Sequence, residues 1–266
     1  MNLVISLIFL LEAVFLAVVL TNNPPRANQE VMDGVTATAV TQIVGQAEVG
    51  VRAVVPRAEP VVSVPPEVEE TLTEKVSLTV PFVTEAPEGN WKSPWINACE
   101  EASMVMVEGY YAGKSEIEPA EAADKMRELF AYQNEVWGSN ANSDAARTVK
   151  IIEDNFAYGA RAVINPTKDD IKAELRAGRP VISLHYGKDL QNKNVPFATY
   201  GSYYHMIVVT GYDDATQEFI TNDDGDEKTG FGYRYGYDLF MRSLHDYNFA
   251  TKKTDLPATV IFTEKK

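Results

Sequence analysis

The chain has little of the chemistry that disulfides and metal centres require. Its 266 residues include one cysteine, Cys99, and three histidines. A single cysteine excludes an internal disulfide and a cysteine-rich zinc site, and three histidines leave few ways to build a histidine-based metal site. We therefore expect no metal and no cofactor. Thiol and imidazole chemistry, where present, is confined to four side chains.

Basic residues are also few. The chain has 24 lysines and arginines against 38 aspartates and glutamates, a formal net charge of −14. A field of this sign repels nucleic acid and other polyanions, so we expect no nucleic-acid partner. The share of apolar residues, 45%, and of charged residues, 23%, is ordinary for a globular protein and excludes a chain that is disordered throughout.

Aromatic residues are missing from one long stretch. Residues 22–77 contain no Phe, Tyr or Trp and hold six of the fourteen prolines. Without aromatic mass such a segment cannot bury enough surface to offset its chain entropy, so we expect an extended stalk. The aromatics lie almost entirely downstream, which predicts a folded domain over residues 78–266.

The N-terminal stretch is apolar on all sides. Residues 3–20 carry one charge, Glu12, and as a helix they would reach about 27 Å, close to the hydrocarbon thickness of a bilayer. A cleaved signal peptide is the alternative, but no basic residue precedes the run and no small-residue cleavage site follows it. We expect residues 1–21 to be an uncleaved single-pass anchor that tethers an extracytoplasmic domain to the cell membrane.

The domain changes its hydrophobic period halfway along. Helical patterns cover residues 99–110, 119–132, 143–156 and 168–176, and strand patterns follow at 180–185, 205–212, 218–221, 232–235 and 258–263. A further strand is expected at 78–83 and a helix at 237–247. Helices first and strands second indicate an α+β fold with an antiparallel sheet.

Cys99 falls on the first turn of the first predicted helix. Unpaired backbone N–H groups and the helix dipole at this position are expected to lower the pKa of the thiol and make it nucleophilic. A lone cysteine is otherwise a small core residue. The acids that follow, Glu100 and Glu101, are typical of a helix start and need no further role.

His205 opens a strand, and a second strand follows through a short turn. If the two strands pair, the end of the second returns beside His205 and brings Asp223 or Asn222 to the imidazole. A carboxylate or amide there would fix the imidazole tautomer. A structural strand-end histidine is the alternative. The oxygen-rich segment that follows, residues 222–227, lacks calcium-loop spacing and indicates a solvated acidic turn.

Several segments around Cys99 and His205 together form a recognisable pattern. They are Val80-Pro81-Phe82, Ala86-Pro87-Glu88-Gly89-Asn90-Trp91, Ala98-Cys99-Glu100-Glu101-Ala102-Ser103, Tyr204-His205-Met206-Ile207-Val208-Val209-Thr210-Gly211-Tyr212-Asp213 and Phe219-Ile220-Thr221-Asn222-Asp223. These segments resemble the papain-like cysteine peptidase family 39, whose founding members cut double-glycine leader peptides, and the likeness is greatest to stand-alone, membrane-anchored bacterial relatives. The resemblance implies a papain-like fold in which Cys99 is the nucleophile, His205 the base and Asp223 the orienting acid.

The sequence departs from that family at two positions. Relatives carry Gln where Glu85 stands, and a carboxylate there would repel an oxyanion unless it were protonated. Relatives also tend to carry Pro where Asp224 stands.

The expected function is thiol-dependent hydrolysis of a peptide or amide bond by Cys99, His205 and Asp223. The expected partners are a peptide or protein substrate and the membrane, and the expected state is a monomer. Two alternatives stay open: a catalytically impaired peptide-binding module, suggested by Glu85, and an acyltransferase or transamidase that uses the same thiol.

Overall fold

The structure is a computed structural model, and it describes residues 74–190, 192 and 204–266. These residues lie in one compact unit, residues 66–266. The predicted anchor at residues 1–21 and the predicted stalk up to residue 73 lie outside the described residues. Within the described ranges, no helix is both long enough and apolar enough to span a membrane.

The described residues form four longer helices, whose ends follow from local sequence. The helices are α1 (Cys99–Tyr111), α2 (Pro119–Trp137), α3 (Ala145–Asn155) and α4 (Lys168–Arg176), with short α5 (Gly187–Leu190), α6 (Glu227–Gly230) and α7 (Tyr237–Ser243). Thr167 and Asp170 form a reciprocal capping box at the start of α4, and Asp144 caps α3 through the backbone N–H of Arg147. Gly138 ends α2 in the left-handed conformation at φ 70°.

The strands build an antiparallel sheet. The strands are β1 (Lys75–Ser77), β2 (Tyr158–Ile164), β3 (Val181–His185), β4 (His205–Asp213), β5 (Glu218–Asn222), β6 (Tyr233–Gly236), β7 (Asp246–Asn248), β8 (Lys253–Leu256) and β9 (Thr259–Lys265). Seven strands of the described residues pair in the order β2-β9-β3-β4-β5-β6, with β1 on β4, and β7 pairs with β8 separately.

Helices cover both faces of this sheet. Met206 and Val208 of β4 join the core under α1, α2 and α3, whereas Ile207 and Val209 join the core under α4 and α7. Successive side chains of a strand point to opposite faces, so β4 is buried along its whole length and is apolar without alternation. The central strand of the sheet is therefore also the strand that begins with His205.

The predicted mix of helices and antiparallel strands is confirmed, with differences at the margins. Residues 78–83 form no strand, because Pro81 lacks the N–H that a ladder needs; the sheet instead begins three residues before the predicted domain boundary, at β1. The helix expected at 237–247 ends at Ser243, and the backbone N–H of His245 bonds to the carbonyl oxygen of Leu184. Strand β2 has a mostly exposed outer half and therefore lacks a clear strand pattern.

Candidate active site

Cys99 is the first residue of α1, as predicted from the sequence. A 3-10 turn, Trp95–Asn97, leads into the helix, and the buried Trp95 ring packs edge-on against Phe130 at 5.5 Å between centroids. The helix behind the cysteine is buried on all sides from Ala102 to Val107. The thiol is therefore held at the tip of a helix that cannot rotate or slide without opening the core.

The thiol itself lies in a dry, acidic environment. Cys99 is 5% exposed, and its Sγ–H donates to Oε2 of Glu100 at 3.1 Å. Burial raises the pKa of the Cys99 thiol well above its usual value, and the carboxyls of Glu100, Asp224 and Glu85 raise it further. The prediction that the helix start lowers this pKa is therefore wrong. Loss of solvation and three nearby acids outweigh the helix N-terminus.

His205 and Asp223 meet across a hairpin. Strands β4 and β5 pair antiparallel from Asp213 opposite Glu218 to Val208 opposite Asn222, with a bulge between. This register carries the residue after β5 back to the start of β4, where Nε2 of His205 lies 2.9 Å from Oδ1 of Asp223. Both side chains are buried, at 1% and 0% exposure.

Two further side chains hold Asp223, and the sequence had not indicated either of them. The Nδ2 amide of Asn192 and the hydroxyl of Tyr235 both donate to Oδ2, at 2.9 and 2.5 Å. Burial alone would raise the pKa of Asp223, but the imidazole of His205 and these hydrogen bonds lower it overall. Asp223 is therefore a carboxylate, Nε2–H of His205 donates to it, and the basic lone pair of the neutral ring is on Nδ1.

Asn222, the alternative partner of the imidazole, has a structural role. Its Nδ2 donates to the carbonyl oxygens of Val80 and Pro81, at 3.1 and 3.4 Å, and so ties the start of the domain to β5. The backbone around Asp223 is also tightly packed. A Cβ on Gly230 would lie 1.8 Å from the Asp223 carbonyl oxygen, so only glycine fits there.

Cys99 and His205 flank the same buried carboxyl. Oε1 of Glu100 accepts from the backbone N–H of Ser143 at 3.0 Å, and the hydroxyl of Tyr204 donates to the Ser143 carbonyl at 2.7 Å. Glu100 also interacts electrostatically with His205. The Glu100 carboxyl thus interacts with both the thiol of α1 and the imidazole of β4.

Four buried acids with raised pKa values line this region. Burial raises the pKa of Glu85, Glu100, Glu101 and Asp224, and repulsion within the group adds to the shift of all but Glu100. The backbone N–H of Glu85 donates to the carbonyl of Asp224 at 2.7 Å, which joins the two departures from the family pattern. Glu100 and Glu101 are therefore more than helix-start residues, and Asp224 belongs to no solvated turn.

The other two histidines have structural surroundings. His185 is fully buried between the hydroxyls of Ser183 and Ser243, at 2.8 and 2.9 Å, and burial holds its pKa well below the usual value. Nδ1 of His245 lies 3.2 Å from the carbonyl oxygen of Leu256. Neither imidazole bonds to Asp223, whereas that of His205 does.

Comparison with known proteins assigns the chain to a family. The model of the Peptidase C39 like family matches residues 77–253, so the chain belongs to that family. A search of solved structures finds a protein described as a C39-like peptidase from Bacillus anthracis, at 15% identity and a TM-score of 0.48, over 73% of this chain and 98% of that one. The comparison with curated proteins finds no match. Family membership supports a cysteine peptidase activity.

The acid beside the thiol gives the first prediction. Glu100→Gln replaces the carboxyl that accepts the Cys99 Sγ–H bond and that, when ionised, opposes the thiolate, so we expect the pKa of Cys99 to fall and alkylation to accelerate at a fixed pH near 7. The measurement is the pH dependence of iodoacetamide labelling, followed by mass spectrometry, which is unambiguous because the chain has one cysteine.

Glu101→Gln is the matched control for this experiment. Glu101 is equally buried and adjacent in sequence, but it accepts from Gln133 and is not among the groups that shift the Cys99 pKa. Equal acceleration in both variants, or none in Glu100→Gln, would contradict the assignment of the thiol's environment.

Proposed function

We propose that the domain hydrolyses a peptide or amide bond through a thioester at Cys99, with His205 as the base and Asp223 as the residue that orients it. The observation that carries the proposal is the buried 2.9 Å bond between Nε2 of His205 and an ionised Asp223. Asp224, 3.8 Å from the same nitrogen, also raises the pKa of the Cys99 thiol. A carboxylate this far from water is costly unless it serves a charged or polarised partner. Membership of a peptidase family supports the same reaction class.

The geometry suggests a sequence of proton movements. Nδ1 of His205 takes the Cys99 proton as the sulfur attacks the substrate carbonyl, and the imidazolium returns that proton to the leaving amine. Water then enters, gives a proton to the same nitrogen and cleaves the thioester, and the proton returns to the sulfur. Because the thiol pKa is raised, Cys99 rests as a neutral thiol, and proton transfer accompanies attack.

Glu85 is compatible with this chemistry when it is protonated. Its carboxyl is 3% exposed and lies beside the backbone N–H of Ala98, the residue before the nucleophile. Burial and the neighbouring acids raise its pKa well above the usual value, which favours the protonated form, and that form has an O–H to donate. We propose that this O–H replaces the amide N–H of the glutamine in relatives and stabilises the oxyanion.

A second candidate, a peptide-binding module without turnover, is favoured by one observation. The resting thiol is 5% exposed and has a raised pKa, which is typical of structural cysteines. The two candidates differ in whether the substrate changes on incubation.

We also propose that residues 1–21 tether this domain to the cell membrane, with the domain outside and the chain monomeric.

Loss of the proposed nucleophile or base should abolish turnover. Cys99→Ala and His205→Ala each remove a group that makes or breaks bonds, so we expect cleavage of a peptide library to fall at least about 10³-fold. The measurement is product formation by mass spectrometry, with iodoacetamide inhibition of the wild type as a second readout.

His245→Ala is the matched control, because it removes an imidazole that is bonded to the Leu256 carbonyl away from Asp223. Turnover that persists in both Cys99→Ala and His205→Ala would rule out the proposed mechanism. Binding of the library without any product in the wild type would favour the peptide-binding module.

Protonation of Glu85 predicts a particular pH profile. A group whose pKa is raised is neutral and active below that pKa, and it loses its proton as the pH rises through it. Wild-type kcat should therefore fall on the alkaline side, and Glu85→Gln should extend activity to higher pH because an amide cannot ionise. Glu85→Ala should lower kcat about 10²–10³-fold at every pH. Identical alkaline limbs in wild type and Glu85→Gln would contradict the role.

Tyr235 should act on the reaction through Asp223. Tyr235→Phe keeps the ring but removes a hydrogen bond to a charged group worth about 1.5–3 kcal/mol, so we expect kcat/KM to fall about tenfold to a hundredfold. The loss of a donor also raises the pKa of Asp223, which moves the acid limb of the pH profile upward.

Tyr237→Phe is the control for Tyr235→Phe. It removes the same kind of bond, from a tyrosine hydroxyl to Asp214 at 2.8 Å, outside the site. A structural effect alone would lower the stability of both variants and leave the acid limb of both unchanged, and that result would remove Tyr235 from the mechanism.

A further inference from the structure

Asp224 is a buried carboxyl without a hydrogen-bond donor. Its side chain is 0% exposed, and among the residues that the structure describes no other residue donates a hydrogen bond to either oxygen. Its neighbour Asp223, equally buried, receives three hydrogen bonds. An unsatisfied buried acceptor costs about 1–3 kcal/mol, and more when it is charged. A proton or a cation can supply the contact that the described residues do not.

The groups around Asp224 have the spacing of a metal site. Nε2 of His205 lies 2.9 Å from Oδ1 of Asp223 and 3.8 Å from Oδ1 of Asp224, and one ligand atom from each of the three residues lies within 4.8 Å of the others. Tetrahedral bonds of about 2.0–2.1 Å place neighbouring ligand atoms about 3.3 Å apart. A single ion could therefore reach all three with small side-chain shifts.

The charge of the region also favours a cation. Asp223 is ionised, Asp224 interacts electrostatically with Glu85 and Glu100, and the ion pairs of the described residues give none of these four carboxyls a lysine or arginine partner. One imidazole nitrogen and two carboxylate oxygens suit Zn²⁺ or a similar transition-metal ion. Ca²⁺ prefers six to eight oxygen ligands.

We propose that Asp224 completes an inhibitory site for a divalent transition-metal ion, Zn²⁺ in the first instance, together with His205 and Asp223. Binding of the metal to Nε2 requires the tautomer in which the single ring proton has moved from Nε2 to Nδ1. The neutral imidazole then has no lone pair left to take the proton of Cys99. The metal thus occupies the base and its carboxylate in one step, and removal of the metal restores both.

The inhibition rests on the proposed function, whereas the binding does not, so binding is tested first and without turnover. We expect the full chain carrying Cys99→Ala to bind Zn²⁺ with one-to-one stoichiometry in calorimetry. Adding Asp224→Asn should weaken binding at least about tenfold, since losing even an outer partner of a metal ligand costs about 10–100-fold. Adding His205→Ala should weaken it at least as much.

Asp226→Asn in the same background is the matched control. Asp226 lies two residues away and caps α6 through the backbone N–H of Lys228, a role that asparagine also fills. The thermal unfolding temperature of each variant, measured in the presence of a chelator, shows whether the variant is folded. A loss of Zn²⁺ binding can then be distinguished from a loss of fold. A Zn²⁺ affinity in Asp224→Asn equal to that of Asp226→Asn would overturn the site and assign a proton to Asp224.

Two other results would also decide the question. Loss of Zn²⁺ binding on Cys99→Ala alone would show capture by the thiol and overturn the proposed ligand set. In the enzyme with Cys99 intact, Asp224→Asn should raise the Zn²⁺ concentration for half-inhibition at least about tenfold. If the wild type shows no turnover, the proposed function fails, and the calorimetry still decides the metal site.

Discussion

The site depends on keeping one carboxylate charged in a place without water. Asp223 is fully buried, and it remains ionised because each oxygen has defined donors: His205 on Oδ1, Asn192 and Tyr235 on Oδ2. The hairpin of β4 and β5 provides the register that makes this possible, and Tyr235 arrives from the next strand, β6. The sheet therefore sets the charge state of Asp223 and, through it, the tautomer of His205.

The other acids of the site follow the opposite rule. Glu85, Glu100 and Asp224 are as buried as Asp223 but have fewer donors, so burial pushes their pKa upward. Raised pKa values favour the protonated forms of these acids, which limits the negative charge that the thiol and the imidazole face.

The sequence was sufficient for the parts of this site that follow from local rules. The helix start at Cys99 and the return of Asp223 to His205 depend on periodicity and on one hairpin, both of which are short-range. The burial of Glu100 could not be predicted, because it requires α1 to be enclosed by segments distant in the chain. The raised pKa of Cys99 was missed for the same reason: the helix dipole is local, whereas desolvation is a tertiary property.

Asp224 shares features with both kinds of acid in the site, the ionised Asp223 and the acids whose pKa is raised. It follows the ionised Asp223 directly in the chain, yet no described group donates to it, and it lies 3.8 Å from the imidazole nitrogen that Asp223 holds. A proton on Asp224 leaves the bond between His205 and Asp223 intact, whereas a cation draws both of those residues toward itself. Whichever species neutralises this one carboxyl thus decides whether the imidazole is available as a base.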